Sequence, residues 1–204
     1  MGLRLDCDCM RLFVGIPLQA AVMDELAAIS MKLRSDNDGL RWAAPESWHI
    51  TLQFLGETSE TNYACAAKKL REVHAPGVPV MLEDLGFFER AGVFFAGVGL
   101  TPELVGLQRL VVTADAQCGV EVEKRPYHPH ITLARVKDGH GDDSHGDDGH
   151  GRVLRQLMGK VKKIGEKIIF TEFVAGEFVL YESRLERTGA RYEIRERYPL
   201  DERA

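Results

Sequence analysis

The sequence contains one tetrapeptide twice, as His49-Ile50-Thr51-Leu52 and again as His130-Ile131-Thr132-Leu133. Read as a β-strand, each copy alternates its side chains between two faces, so His and Thr share one face and Ile and Leu the other. Two such strands set opposite each other gather two imidazoles and two hydroxyls around one cleft. That set suits an in-line displacement at phosphorus without a metal. A neutral imidazole takes the proton of the attacking oxygen, and an imidazolium protonates the leaving oxygen. Histidine titrates near enough to neutral pH for either task. Thr51 and Thr132 are placed to hydrogen-bond the nonbridging oxygens. Two hydroxyls do not neutralise a phosphate, and Arg135 is the nearest cation that would.

Strict alternation puts Arg135 with Ile131 and Leu133 on the buried face. It reaches the cleft only if the strand ends or bulges near Ala134. Tyr127 and His128 are expected to line the entrance, and Pro129 suits the start of a strand. A single His-x-Thr strand would be read as a structural histidine. Duplication of the whole tetrapeptide, with matched apolar neighbours, turns the reading to catalysis.

The surrounding pattern supplies elements to carry these strands. Met10 to Ile16 reads as a strand closed by Pro17, and Leu18 to Leu33 has helical periodicity. Leu40 to Trp42 reads as a short strand, and Trp48 to Leu55 as the first motif strand, ended by Gly56. Ser59 is a candidate cap for a helix running to about Val73. Pro76 to Pro79 reads as a linker or turn, and Val80 to Leu85 as a strand. Phe87-Phe88 and Val93 to Val98 read as a hairpin. Thr101 and Pro102 open a helix to about Gln117. After the second motif, Arg152 to about Ile164 reads as a helix. Ile168–Val174, Glu177–Arg184 and Ala190–Tyr198 follow as antiparallel strands. Strand, helix, motif strand and helix thus recur in two halves. The expected fold is α+β and bilobal: two related lobes with antiparallel sheets around a central cleft, helices outside. Residues 1–9 read as an N-terminal extension, and 10–200 as one domain.

The chain has 204 residues, 45% of them hydrophobic, which is enough for one substantial domain. No apolar run is long enough to span a membrane, and Met1 to Met10 lacks the apolar stretch of a signal peptide. Cys7, Cys9, Cys65 and Cys118 show no zinc-like spacing and are expected to be reduced, in a cytoplasmic protein. The formal net charge is -5. Four of the acidic residues, Asp142, Asp143, Asp147 and Asp148, crowd into one segment, so the rest is near neutral. There is no long basic footprint, but a cleft for one terminal phosphate needs only a few local donors. Lys160, Lys162, Lys163 and Lys167 cluster, and a solvated helix face explains them better than a contact with nucleic-acid backbone.

Residues 139–151 are a Gly-Asp-His repeat with His140, His145 and His150 evenly spaced. Such a segment can hold a divalent ion weakly. A flexible, solvated loop explains it without one, and no metal or cofactor is assigned.

At the motifs the chain resembles the two-histidine phosphoesterases, in particular the bacterial and archaeal RNA 2',3'-cyclic phosphodiesterases, also called 2'-5' RNA ligases. The matching pieces are Arg11-Leu-Phe-Val-Gly-Ile-Pro17, Trp48-His-Ile-Thr-Leu-Gln-Phe-Leu-Gly56 and His128-Pro-His-Ile-Thr-Leu-Ala-Arg135, with Tyr181-Glu-Ser-Arg184 and Tyr198-Pro-Leu200 later. The resemblance spans roughly residues 10–200. It implies metal-independent hydrolysis of a terminal 2',3'-cyclic phosphate to a 2'-phosphomonoester, on RNA ends or small cyclic nucleotides. It further implies that His49 is the acid for the 3'-oxygen and His130 the base for water. Thr51, Thr132 and Arg135 would bind the phosphate. Reversal of the same chemistry would join RNA ends through a 2'-5' bond. Two other readings compete. One is a noncatalytic nucleotide- or RNA-binding module on the same cleft. The other is a metal-dependent hydrolase built on the 140–150 histidines. A monomer is the default assembly.

Overall fold

The computed structural model describes residues 9–137, 149–164, 170–186 and 189–201. The expected extension at 1–9 and the Gly-Asp-His segment at 138–148 lie almost wholly outside these residues.

Ten strands and four helices alternate along the described chain. β1 (Met10–Pro17) is followed by α1 (Ala20–Leu33), β2 (Leu40–Trp42), β3 (His49–Thr58) and α2 (Glu60–Leu70). β4 (Val78–Val80), β5 (Leu82–Phe88), β6 (Val93–Val98) and α3 (Pro102–Ala116) come next. β7 (His130–Val136), α4 (Gly149–Ile164), β8 (Phe173–Ala175), β9 (Glu177–Glu186) and β10 (Gly189–Pro199) complete the order. The strands form two four-stranded antiparallel sheets, β10-β9-β1-β3 and β2-β7-β6-β5, and a two-stranded pair, β4-β8. Each motif strand has its own sheet, as the bilobal α+β expectation requires. The lobes are not the two halves of the sequence, however. β2, from the first half, pairs with β7, and the C-terminal β9 and β10 complete the sheet of β1 and β3.

Local chemistry fixes the element ends. The Ser59 hydroxyl accepts from Asn62 N at the start of α2, and the Thr101 hydroxyl accepts from Leu104 N at the start of α3, where Pro102 occupies the first turn. Each cap satisfies a donor that the helix leaves unpaired. The buried stripe Leu104, Leu107, Val111 and Ala114 seats α3 in a core that also takes Leu12, Val14 and Ile16 from β1 and Ile50 and Leu52 from β3. Ile131 and Leu133 of β7 enter the same core. The Ile-Leu halves of both motifs are therefore buried, as alternation predicts, while both histidines and both threonines are half-buried on the other side.

Several boundaries differ from the sequence reading. Gly56 does not end the first motif strand. It takes a left-handed conformation (φ +72°) at an irregularity, and the strand runs on to Thr58. Pro76–Pro79 is not all turn, because Val78 and Val80 are buried in pairing with β8. Of the strand expected over 168–174, residues 168 and 169 lie outside the described residues, 170–172 are not in a strand, and pairing begins at Phe173–Ala175. α4 begins at Gly149, so the last residues of the expected 139–151 loop, His150 included, are helical. The expectation of reduced cysteines is also overturned. Cys65 of α2 and Cys118, just beyond α3, are disulfide-bonded with Cα atoms 5.7 Å apart, and no described cysteine is free. Spacing along the chain carries no sign of this, because α2 and α3 come together only in the fold.

Candidate active site

The two motif strands solve the same backbone problem in the same way. Along β3, Thr51 lies opposite Gly15 and Gln53 opposite Val14, leaving Leu52 as an extra residue. Along β7, Thr132 lies opposite Phe95 and Ala134 opposite Phe94, leaving Leu133 extra. Each strand therefore bulges at the leucine of its motif, and beyond that point side-chain parity is reversed. The burial sequence of the six residues from each histidine is identical: half-buried, buried, half-buried, buried, buried, exposed. This removes the obstacle to Arg135. The bulge brings it round from the Ile-Leu face to the exposed face, and its charge is felt at both His49 and His130.

The imidazoles are held alike. His49 Nδ1 lies 2.8 Å from Ser47 O, and His130 Nδ1 lies 2.8 Å from His128 O. A carbonyl only accepts, so Nδ1 carries the proton in both rings and Nε2 is left for exchange. His49 Nε2 is 3.1 Å from Thr51 Oγ1, which donates to it while the ring is neutral. Aromatic rings fix both planes. His49 sits against Phe13, Tyr192 and Tyr181, with centroids at 4.5, 5.1 and 5.6 Å. His130 sits edge-on to Phe88 and Phe95, at 4.9 and 5.5 Å.

Gly15 makes room for the first ring. A Cβ there would come within 2.9 Å of Ile50 O and 3.4 Å of His49 Cδ2. Burial, together with the positive charges of His130 and Arg135, pushes His49 down to about 4 against the opposing bond to Ser47. His130 is lowered in the same direction, first by burial and then by His128 and Arg135, against its bond to His128 O. Both rings are therefore neutral in the empty cleft at neutral pH. An anionic phosphate between them favours the protonated form and raises both.

The structure gives Tyr127 and His128 parts other than lining an entrance. The Tyr127 hydroxyl donates to Thr51 O at 3.1 Å, and burial raises its pKa, so it remains a donor. The exposed His128 ring lies edge-on to Phe88 at 5.2 Å, and its carbonyl orients His130. Thr51 and Thr132 stand beside their histidines as expected. Among the described residues, no group of acidic residues, histidines and cysteines is arranged to hold a metal ion. Sequence reading missed Phe54, the counterpart on β3 of Arg135 on β7. Its ring is 67% exposed and lies 6.0 Å from Phe13, which in turn packs on His49. An apolar residue five positions after the motif histidine is a visible signal, but only the bulge reveals that it points out of the core.

Comparison with known proteins bears on this site. Residues 16–95 and 98–192 match the family described as LigT like Phosphoesterase. A Geobacillus stearothermophilus protein named RNA 2',3'-cyclic phosphodiesterase is 30% identical over 193 residues, covering 92% of this chain and 56% of that protein. The chain thus spans little more than half of that relative. A Thermotoga maritima protein of the same name is 29% identical, covering 91% of this chain and 92% of its own length. The crystal structure of E. coli LigT complexed with 3'-AMP superposes with a TM-score of 0.73 at 26% identity, covering 95% of this chain and 99% of that one.

Proposed function

Given that this chain belongs to the LigT-like phosphoesterase family, we propose that it hydrolyses terminal 2',3'-cyclic phosphates on RNA to 2'-phosphomonoesters. His49 and His130 are the proton-transfer pair, and no metal takes part. The observation that carries this reading is the duplicated bulged strand, which presents two imidazoles with Nδ1 committed to a carbonyl and Nε2 turned away from it, that of His49 toward the Thr51 hydroxyl. His130 Nε2 takes a proton from water as it attacks phosphorus, and the P–O3' bond breaks. His49, protonated once the anionic phosphate is bound, delivers its proton to the departing 3'-oxygen. Thr51 and Thr132 donate to the nonbridging oxygens, and Arg135 balances the charge that builds on them. Phe54 offers its exposed face to the nucleobase on the His49 side, where the ribose and its leaving oxygen lie. With the 5'-hydroxyl of another RNA in place of water, the same path would join the two ends through a 2'-5' phosphodiester, the 3'-oxygen again leaving with the proton of His49, but water in excess favours hydrolysis.

RNA ends or small cyclic nucleotides are the substrates, and we place the protein in the cytoplasm as a monomer. Among the described residues no helix is long and apolar enough to cross a membrane. The test is turnover of an oligonucleotide 2',3'-cyclic phosphate in EDTA, with the product identified as 2'- or 3'-phosphate. A 2'-phosphate product that disappears in His49→Ala and His130→Ala supports the reading. Saturable binding without turnover would favour a noncatalytic RNA-binding module instead. Turnover that requires a divalent ion and is lost when residues 139–148 are deleted would favour the histidine-rich segment.

A further inference from the structure

Among the described residues β3 is the edge strand of its sheet, so the side away from β1 carries backbone groups with no described strand to pair with. The irregular segment between α3 and β7, residues 117–129, runs along that edge and is tied down at three places. Its start is bonded through the Cys65–Cys118 disulfide. Its middle accepts a hydrogen bond at Glu121 O from the buried Gln53 side chain of β3, at 3.3 Å. Near its end the Tyr127 hydroxyl donates to Thr51 O at 3.1 Å. The last tie differs from the other two. It joins Thr51, which lies between His49 and the Leu52 bulge, to a residue three places before His130.

We propose that Tyr127 is a positioning residue, whose hydroxyl clamps the first motif strand to the lead-in of the second and so fixes the reach between His49 and His130. Three observations converge on this role. The acceptor is the carbonyl of Thr51, whose hydroxyl is the partner of His49 Nε2. The donor is half-buried and packs against the main core, so it cannot swing freely. Only two residues follow it before His130, and these are constrained: His128 supplies the carbonyl that orients His130, and Pro129 is buried with its carbonyl accepting from Val98 N. A shift of Thr51 relative to Tyr127 is therefore transmitted to the spacing of the two rings. One phosphate must lie in line with both Nε2 atoms, so spacing limits rate more than it limits binding. This inference rests on the histidine-pair reading above for its effect on turnover, but its effect on the two rings can be read without any turnover.

Tyr127→Phe removes only the hydroxyl and keeps the packed ring. Two measurements test it: NMR titration of the His49 and His130 imidazoles, and kinetics on a cyclic-phosphate oligonucleotide with a 2'-phosphate oligonucleotide as inhibitor. The titratable groups facing His49 are His130 and Arg135, both of which depress it, and the rings of Tyr181 and Tyr192 packed against it. Letting the strands part weakens that field and admits water, so His49 in Tyr127→Phe should titrate at higher pH than in the unaltered protein. kcat should fall about tenfold to a hundredfold, with the inhibition constant of the 2'-phosphate nearly unchanged, because alignment of the two rings matters in the transition state and not in ground-state binding. Gln53→Met is the control, since it cuts the middle tie without touching a motif carbonyl, and it should leave both titrations in place. An unmoved His49 titration in Tyr127→Phe overturns the proposal, as does an equal shift in Gln53→Met. Parallel loss of kcat and inhibitor binding would make Tyr127 a substrate contact, which also overturns it. Failure of the broader reading looks different: the unaltered protein would not turn over, while the imidazole titrations would still decide the clamp.

Discussion

β3 and β7 carry the same four residues, the same bulge and the same burial over six positions, yet they place their histidines in different surroundings. The residue opposite Thr51 is Gly15, whereas the residue opposite Thr132 is Phe95. Where the neighbour is glycine, the ring settles inward among Phe13, Tyr181 and Tyr192. Where the neighbour is phenylalanine, the ring is braced from the side by Phe88 and Phe95. Five positions after the histidine, one strand carries Arg135 and the other Phe54. A duplicated backbone thus supplies two like proton-transfer groups, and unlike neighbours give the cleft a charged end and an aromatic end. A cyclic phosphate on a nucleoside has the same asymmetry, with anionic oxygens on one side and a flat base on the other.

The largest effects should come from the shared part of the two strands. His49→Ala and His130→Ala should each lower kcat by about 10²–10⁴. An aryl phosphodiester without a ribose, such as bis(p-nitrophenyl) phosphate, sharpens the comparison. Its leaving group departs without a proton, so it needs the base but hardly the acid. The loss in His49→Ala should shrink on that substrate, while the loss in His130→Ala should persist. The reverse pattern, measured by release of p-nitrophenolate, would exchange the two roles.

The charged end comes next. Arg135→Ala should cost about 10²–10³ in kcat/KM, the scale for removing one donor to developing charge. Arg135→Lys should recover only part of it, because an ammonium cannot span two oxygens as a guanidinium does. Steady-state kinetics on one cyclic-phosphate oligonucleotide distinguishes these variants.

Arg135 also shows how far the sequence could be read. Alternation correctly separated Ile131 and Leu133 from His130 and Thr132, because period two holds over four residues. It put Arg135 on the wrong face unless a bulge intervened, and a bulge is a property of a pair of strands, not of one. Leu52 and Leu133 carry no mark in the sequence that says they lack a partner. Phe54 was overlooked for the same reason, since it looks like core until Gln53 is seen turned inward to Glu121. Pairing at long range accounts for the other misses. β2 leaves its half to pair with β7, Val78–Val80 needs β8 to become a strand, and Cys65 meets Cys118 only when α2 packs beside α3. What was legible was local: the caps at Ser59 and Thr101, the hairpin of β5 and β6, and the motif strands themselves.

The aromatic end should be worth less than the charged one. Stacking on an exposed ring contributes about 1–3 kcal/mol per base. Phe54→Ala should therefore raise KM about fivefold to a hundredfold for a cyclic-phosphate oligonucleotide, with kcat nearly intact, and Phe54→Trp should preserve KM. A ribose cyclic phosphate without a base should show no difference among the three proteins. Equal losses on the abasic substrate would mean that Phe54 acts through Phe13 on His49, and the contrast between the two ends of the cleft would lose its meaning.

The smallest effect is a shift along the pH axis, and it tests why the two histidines differ. kcat/KM reports groups of the free enzyme. His49 lies at about 4 and His130 below its usual 6.5, so the bell should sit on the acid side, with one limb at about 4 and the other below 6.5. Its shape is the same whichever ring is the acid, because only the product of one protonated and one neutral fraction matters. Burial lowers a histidine by disfavouring its charged form, so anything that lifts the His49 ring toward water must raise its pKa. Gly15→Ala does that directly, since the added methyl meets Ile50 O at 2.9 Å and His49 Cδ2 at 3.4 Å, and the backbone oxygen is the harder of the two to displace. The low-pH limb should then move up from about 4, while the high-pH limb, set by His130 on the other sheet, stays in place. Arg135→Ala should instead move both limbs up, because its charge depresses both rings. If Gly15→Ala moved both limbs together, the two pockets would not be independent, and the difference between the strands would have to be sought in their shared phosphate site instead of in the glycine and the phenylalanine that face the two threonines.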